Sequence, residues 1–152
     1  MSVDDRLAEL GIELPTATAP VANYVMTRRS GVLLFVSGHL GKGERGVVVG
    51  RLGDSVTVQE GRSLARATAI DVLASVRQAL GSLDGVRAVV KLGGYVNSTS
   101  SFTEQPAVVD GASEVMVEVF GEDAGRHSRV AVGVAQLPLG AAFELEAIFE
   151  VD

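Results

Sequence analysis

His127-Ser128-Arg129-Val130-Ala131-Val132-Gly133-Val134-Ala135-Gln136-Leu137-Pro138-Leu139-Gly140-Ala141-Ala142-Phe143-Glu144-Leu145-Glu146-Ala147-Ile148-Phe149-Glu150-Val151 reads as two strands around a turn. Val130, Val132 and Val134 alternate with Arg129, Ala131 and Gly133; Phe143, Leu145, Ala147 and Phe149 alternate with Glu144, Glu146, Ile148 and Glu150. A period of two marks strands whose faces meet different surroundings. Between them, Pro138 and Gly140 supply turn chemistry. Arg129 and Glu144 thus fall on the faces opposite Val130 and Phe143. A guanidinium and a carboxylate fixed on strands could bind a small molecule, or they could be two solvated charges.

Upstream, the strongest helix signal opens at Thr57-Val58-Gln59-Glu60, a capping box with Thr57 as N-cap and Glu60 at N3. Leu64, Ala65, Ala69, Val72, Leu73, Val76 and Leu80 form its apolar stripe, and Gly81 stands where a left-handed residue ends a helix. A second helix is expected from a Ser101 or Thr103 cap to about Phe120, with Val108, Val109, Ala112, Val115, Met116 and Val119 buried and Pro106 in its first turn. Val86 to Val96 is a strand in which Gly93-Gly94 suggests a bulge or a close backbone approach. Near the start, Val3 to Leu10 reads as a short helix stopped by Gly11. Val21–Thr27 and Val32–Ser37 read as a hairpin turning at Arg28-Arg29-Ser30-Gly31.

These elements describe an α+β domain of two layers, a mostly antiparallel sheet with two helices on one face. Residues 1–18 form an N-terminal helix and linker, and residues 19–152 a single domain. The uncovered sheet face, rich in Val, Ala and Gly, is expected to pack against copies of itself.

Composition narrows the function. There is no Cys, hence no thiolate nucleophile and no Cys-ligated metal. The net charge of −6 and the scarcity of aromatic residues argue against nucleic-acid binding. No apolar run reaches membrane-spanning length, so no membrane partner is expected, and a cytoplasmic location is. Gly38 to Gly46 reads as a loop rich in Gly, and within it Gly41-Lys42-Gly43-Glu44-Arg45-Gly46 has the G-x-G-x-x-G spacing. However, the strand-like Val47-Val48-Val49 follows where a dinucleotide site needs a helix. His39 and His127 lack metal-ligand spacing and a third ligand. Lys91 lies in a strand, where it either forms a Schiff base or extends along the sheet to solvent. Arg129 is either a carboxylate fork or one half of an ion pair with Glu144 or Glu146. Glu144 and Glu146 are either a solvated stripe or contain a water-activating carboxylate.

Four blocks in order carry a resemblance. They are Tyr24, then Leu34-Phe35-Val36-Ser37-Gly38-His39-Leu40, then Val89-Val90-Lys91-Leu92-Gly93-Gly94-Tyr95-Val96, then the C-terminal stretch with Leu137-Pro138 and Glu144-Leu145-Glu146-Ala147-Ile148. Together they resemble the reactive intermediate deaminase (Rid) family, also called the YjgF or endoribonuclease L-PSP family. The likeness runs from Ala19-Pro20 to Val151. It implies a chorismate-mutase-like fold, a homotrimer with clefts between subunits, and hydrolysis of reactive 2-imino acids to 2-keto acids and ammonia, with no cofactor. It also implies that Arg129 holds the substrate carboxylate, that Glu144 positions the attacking water, and that Tyr24, Ser37 and Gly38 line the cleft. The chain departs from the family pattern at Ala131, where a Cys is frequent, at Ser128 and His127 ahead of Arg129, and at Asn23 before Tyr24. The segment from Phe102 to Arg129 is also longer. A non-catalytic trimer binding a small carboxylate and a ribonuclease are the other readings that the resemblance leaves open.

Overall fold

A computed structural model describes residues Met1–Asp152. Helix α1 spans Val3–Glu9, and β1 (Thr27–Ser30) and β2 (Leu33–Leu40) form a hairpin. Two short strands, β3 (Lys42–Gly43) and β4 (Gly46–Val47), precede α2 (Val58–Leu80). Then come β5 (Val86–Asn97), α3 (Gln105–Gly125), β6 (Ser128–Val134) and β7 (Phe143–Val151). The main sheet has the order β1-β2-β7-β5-β6. Only β5 and β6 run parallel, joined through α3; the other pairs are antiparallel.

Helices α2 and α3 cover one face. The expected apolar stripes of both are buried, with Leu80 only partly so, against Leu92, Val96, Phe143, Leu145 and Phe149 of the sheet. The Thr57–Glu60 capping box is formed reciprocally, and Gly81 closes α2 at φ 83°. The two helices approach so closely that a Cβ on Gly111 of α3 would lie 2.1 Å from the Arg62 carbonyl oxygen of α2. Gly94 serves the same end between sheet and helix, since a Cβ there would lie 2.5 Å from Val109. Of the two roles expected for the glycine pair, Gly94 takes the close approach. The irregularities of the β5–β7 register fall earlier, between Val86 and Lys91. Helix α1 docks on this layer: Leu7 is buried, and Arg6 Nε donates to the Glu118 carbonyl at 2.8 Å.

Three expectations need correction. The hairpin strands are not Val21–Thr27 and Val32–Ser37. Arg28, Arg29 and Ser30 pair with Phe35, Leu34 and Leu33, and the turn is Gly31-Val32, with Gly31 at φ 61°. A two-residue turn needs that left-handed position, and an outermost strand tolerates charged residues. Gly38 to Leu40 is strand rather than loop, and β2 continues through a bulge between Val36 and His39. The N-cap of α3 is Glu104, without a side-chain cap; its chain also kinks at Gly121 and resumes to Gly125. The segment Gly41–Gly46 itself contains β3 and the start of β4, and no helix follows it directly.

Candidate functional site

Pairing register decides which face each polar side chain occupies. Leu92 lies beside Arg129 and Gly94 beside Ala131. Leu92 is buried and Gly94 abuts α3, so Arg129, Ala131 and Gly133 face the helices. Gly93 and Tyr95 pair with Glu146 and Glu144 on one side and with Val130 and Val132 on the other. Those residues share the uncovered face. Arg129 and Glu144 therefore stand on opposite faces of the sheet. The structure does not bring them together within one chain, and it makes neither Glu144 nor Glu146 the partner of Arg129.

The uncovered face holds a carboxylate centre. Gly38 makes room for it: a Cβ there would sit 2.9 Å from the Glu144 carboxyl carbon. Burial, reinforced by neighbouring Glu146, pushes the Glu144 carboxyl above its usual range. Glu146 accepts the Tyr95 hydroxyl at 2.7 Å, and that bond pushes the Tyr95 phenol up to about 12. Ser37, one residue before Gly38, donates its hydroxyl to the Val25 carbonyl at 2.7 Å. Tyr24, next to Val25, is 46% exposed. Ser37, Gly38 and Glu144 are thus gathered at one place, with Tyr24 adjoining through Val25. Further along this face a cavity of about 380 Å³ is lined by Arg28, Phe35, Ser37, Lys91, Glu146 and Ile148. Lys91 points out of the sheet, exposed.

The helix-facing side holds the second polar group. Arg129 Nη1 donates to Asp110 Oδ1 at 2.8 Å and to Ser113 Oγ at 3.1 Å. Its Nε and Nη2 have no partner within the chain, and the side chain is 22% exposed. Ser113 Oγ lies 2.9 Å from His127 Nε2, and His127 Nδ1 lies 2.7 Å from the Gly125 carbonyl. Asp110 and Ser113 are one turn apart on α3, and the parallel β6 returns beside that turn. Sequence reasoning missed both. The available signal was Asp110-x-x-Ser113 bordering the apolar stripe of α3, where two polar residues one turn apart point the same way. His39 is the buried imidazole of the chain. Its Nδ1 contacts the Ser37 carbonyl at 2.7 Å and its Nε2 the Ser75 hydroxyl at 2.8 Å, between β2 and α2. The histidines therefore belong to separate clusters, and no three His, Cys, Asp or Glu side chains converge to hold a metal. No helix is long and apolar enough to cross a membrane.

Residues 4–149 match the family model described as "YjgF/chorismate mutase-like, putative endoribonuclease". Protein TCP17 of Trypanosoma cruzi is 53% identical over 147 residues, covering 96% of this chain and 92% of that protein. The crystal structure of Atu1372 from Agrobacterium tumefaciens, a protein of unknown function, superposes with a TM-score of 0.89 at 43% identity. That match covers 99% of this chain and 92% of the other. A Shewanella oneidensis protein carrying the endoribonuclease label gives a TM-score of 0.94 at 32% identity, over 99% of this chain and 100% of its own.

Proposed function

The chain belongs to the YjgF/chorismate mutase-like family, and from that premise we propose that it hydrolyses small 2-imino acids to 2-keto acids and ammonia in clefts between the subunits of a homotrimer. Arg129 holds the substrate carboxylate, Glu144 positions the water, and Tyr24, Ser37 and Gly38 line the cleft. One observation carries the reading. Arg129 keeps a free Nε/Nη2 edge on β6, the outermost strand, while Glu144 lies on the other face of the same sheet. A ligand touching both must draw them from two copies, so the arrangement favours an inter-subunit cleft. The free edge presents two parallel donors, the geometry a carboxylate takes up bidentately. Burial holds the Glu144 carboxyl above its usual range, which makes it a stronger proton acceptor for a bound water.

The test is ammonia release from imines made in place by an amino acid oxidase, compared with a protein-free control. Equal rates end the deaminase reading. Asp110 already occupies Nη1 of Arg129, which favours a second reading: a carboxylate-binding trimer without turnover. Calorimetric titration with pyruvate separates the two, because binding without ammonia release supports only the second. The endoribonuclease label of the relatives is met here by a net charge of −6, a poor match for a phosphate backbone.

A further inference from the structure

We propose that Ser113, backed by His127, is the proton acceptor at the Arg129 end of the cleft. The inference rests on the reading of Arg129 as the carboxylate holder, and it adds a second acid–base group on the face opposite Glu144. Four observations carry it. The Gly125 carbonyl can only accept, so His127 Nδ1, 2.7 Å away, carries the ring proton. Nε2 is then an acceptor, and Ser113 Oγ at 2.9 Å donates to it. Arg129 Nη1 donates into the same oxygen at 3.1 Å, stabilising negative charge there. Ser113 Oγ has no third partner, so one lone pair remains for a water or ligand on the guanidinium. The result is a hydroxyl flanked by a base and a fixed cation, one bond from the group that holds the substrate.

The charged groups around His127 are few. Arg129 faces it from β6, and Asp110 of α3 lies beyond Arg129. Neighbouring Arg126 is turned to solvent, paired with Glu122. Burial, with Arg129 adding to it, pulls the His127 pKa below 6.5 against the Gly125 hydrogen bond, so the ring is a free base at neutral pH.

The step balances without any other reagent. The water that Glu144 of a neighbouring copy positions also rests on Ser113 Oγ, and it forms its oxygen–C2 bond as the C=N π pair moves to nitrogen. The water proton passes to Ser113 as Ser113 passes its own to His127 Nε2. Returned by the same route, that proton reaches the nitrogen and gives the carbinolamine. The C2 hydroxyl proton then follows it to the nitrogen, the C2–nitrogen bond breaks with its pair leaving on ammonia, and the hydroxyl oxygen's pair forms the C2–oxygen double bond. Ser113 touches the reacting water; His127 acts through it.

Ser113→Ala and His127→Gln test the assignment, with kcat and KM measured across pH on 2-iminopropanoate generated in place. The expected result is a loss of about 10²-fold or more in kcat, with pyruvate affinity and melting temperature close to wild type. Wild-type kcat should fall as pH drops below 6.5, through the depressed His127 pKa; in His127→Gln that fall should move, leaving only the limb of the Glu144 carboxyl. Unchanged kcat in both variants, or an acid limb in His127→Gln that coincides with the wild-type one, overturns the proposal. If the wild type releases no ammonia, the deaminase reading fails and nitrogen-15 NMR of His127 decides the assignment alone. A proton on Nδ1 and a pyruvate-induced shift lost in Ser113→Ala support it. A proton on Nε2, or no response to pyruvate, overturns it.

Discussion

Arg129 has its donors divided between the protein and solvent. Nη1 is spent on Asp110 and Ser113, while Nε and Nη2 remain open. The pair with Asp110 is a half-exposed contact, worth little to stability by itself. Arg129→Lys keeps the charge but loses the planar fork, so it should weaken pyruvate binding while leaving the melting temperature nearly unchanged. Arg129→Ala should weaken binding further, by roughly 2–5 kcal/mol where the ligand is well desolvated. Calorimetry and thermal melts on both variants check this; intact affinity with lost stability would make Arg129 structural. Glu144→Gln keeps the shape beside Gly38 and removes the basic oxygen. Imine hydrolysis should slow by about 10²–10⁴-fold with assembly unaffected, and an unchanged rate would move the role to Glu146. These two residues stand out in the sequence because each interrupts an alternating apolar strand. Asp110 and Ser113 do not, because a polar residue beside a helical stripe is ordinary. Their use becomes visible only once β6 lies parallel to β5 and delivers Arg129 to α3.

At the scale of elements, α2 and α3 meet through Gly111. Gly111→Ala gains about 0.5–1 kcal/mol of helix propensity, but the new methyl lands 2.1 Å from a carbonyl oxygen that cannot rotate away. The clash should win, lowering stability by about 1–3 kcal/mol or more; a urea midpoint that rises instead would show that the helices separate freely. The β2–α2 junction has its own pH dependence. Burial depresses His39 below 6.5, outweighing the Ser37 hydrogen bond. As pH falls, the unfolded chain takes up this proton before the folded one, so the stability carried by the neutral ring is present above pH 6.5 and is lost through the folded pKa. His127 shifts the same way. Asp71 and Glu144, both raised by burial, have the opposite sign, each only above its free value of 3.8 or 4.5. The melting temperature should therefore fall on acidification from neutrality to about pH 5.5, and His39→Gln should flatten part of that slope in a calorimetric series. The helical stripes, the Thr57 cap and the last two strands were legible because burial selects residue type position by position. The β1–β2 register was not: Arg28-Arg29-Ser30 has the composition of a turn, and an outermost strand imposes no apolar pattern to contradict it.

For the whole molecule, the uncovered face sets the expectation. Phe35, Val130 and Val132 are exposed there beside half-buried Ile148, a surface that a partner would cover. Native mass spectrometry at low micromolar concentration should show a trimer, and monomer alone would remove both the assembly and the shared cleft. The placement of Arg129 and Glu144 on opposite faces also has a genetic consequence. If each cleft borrows one residue from each of two neighbours, Arg129→Ala and Glu144→Gln chains are both inactive alone yet complement each other when co-expressed. With chains mixed equally and at random, roughly a quarter of the clefts would receive an intact Arg129 and an intact Glu144 from different parents. A double mutant mixed with wild type puts both lesions on one chain, and it too would leave about a quarter of the clefts whole. Two dead alleles would then be worth as much as one dead and one living, which is how a site shared between chains announces itself in a cross.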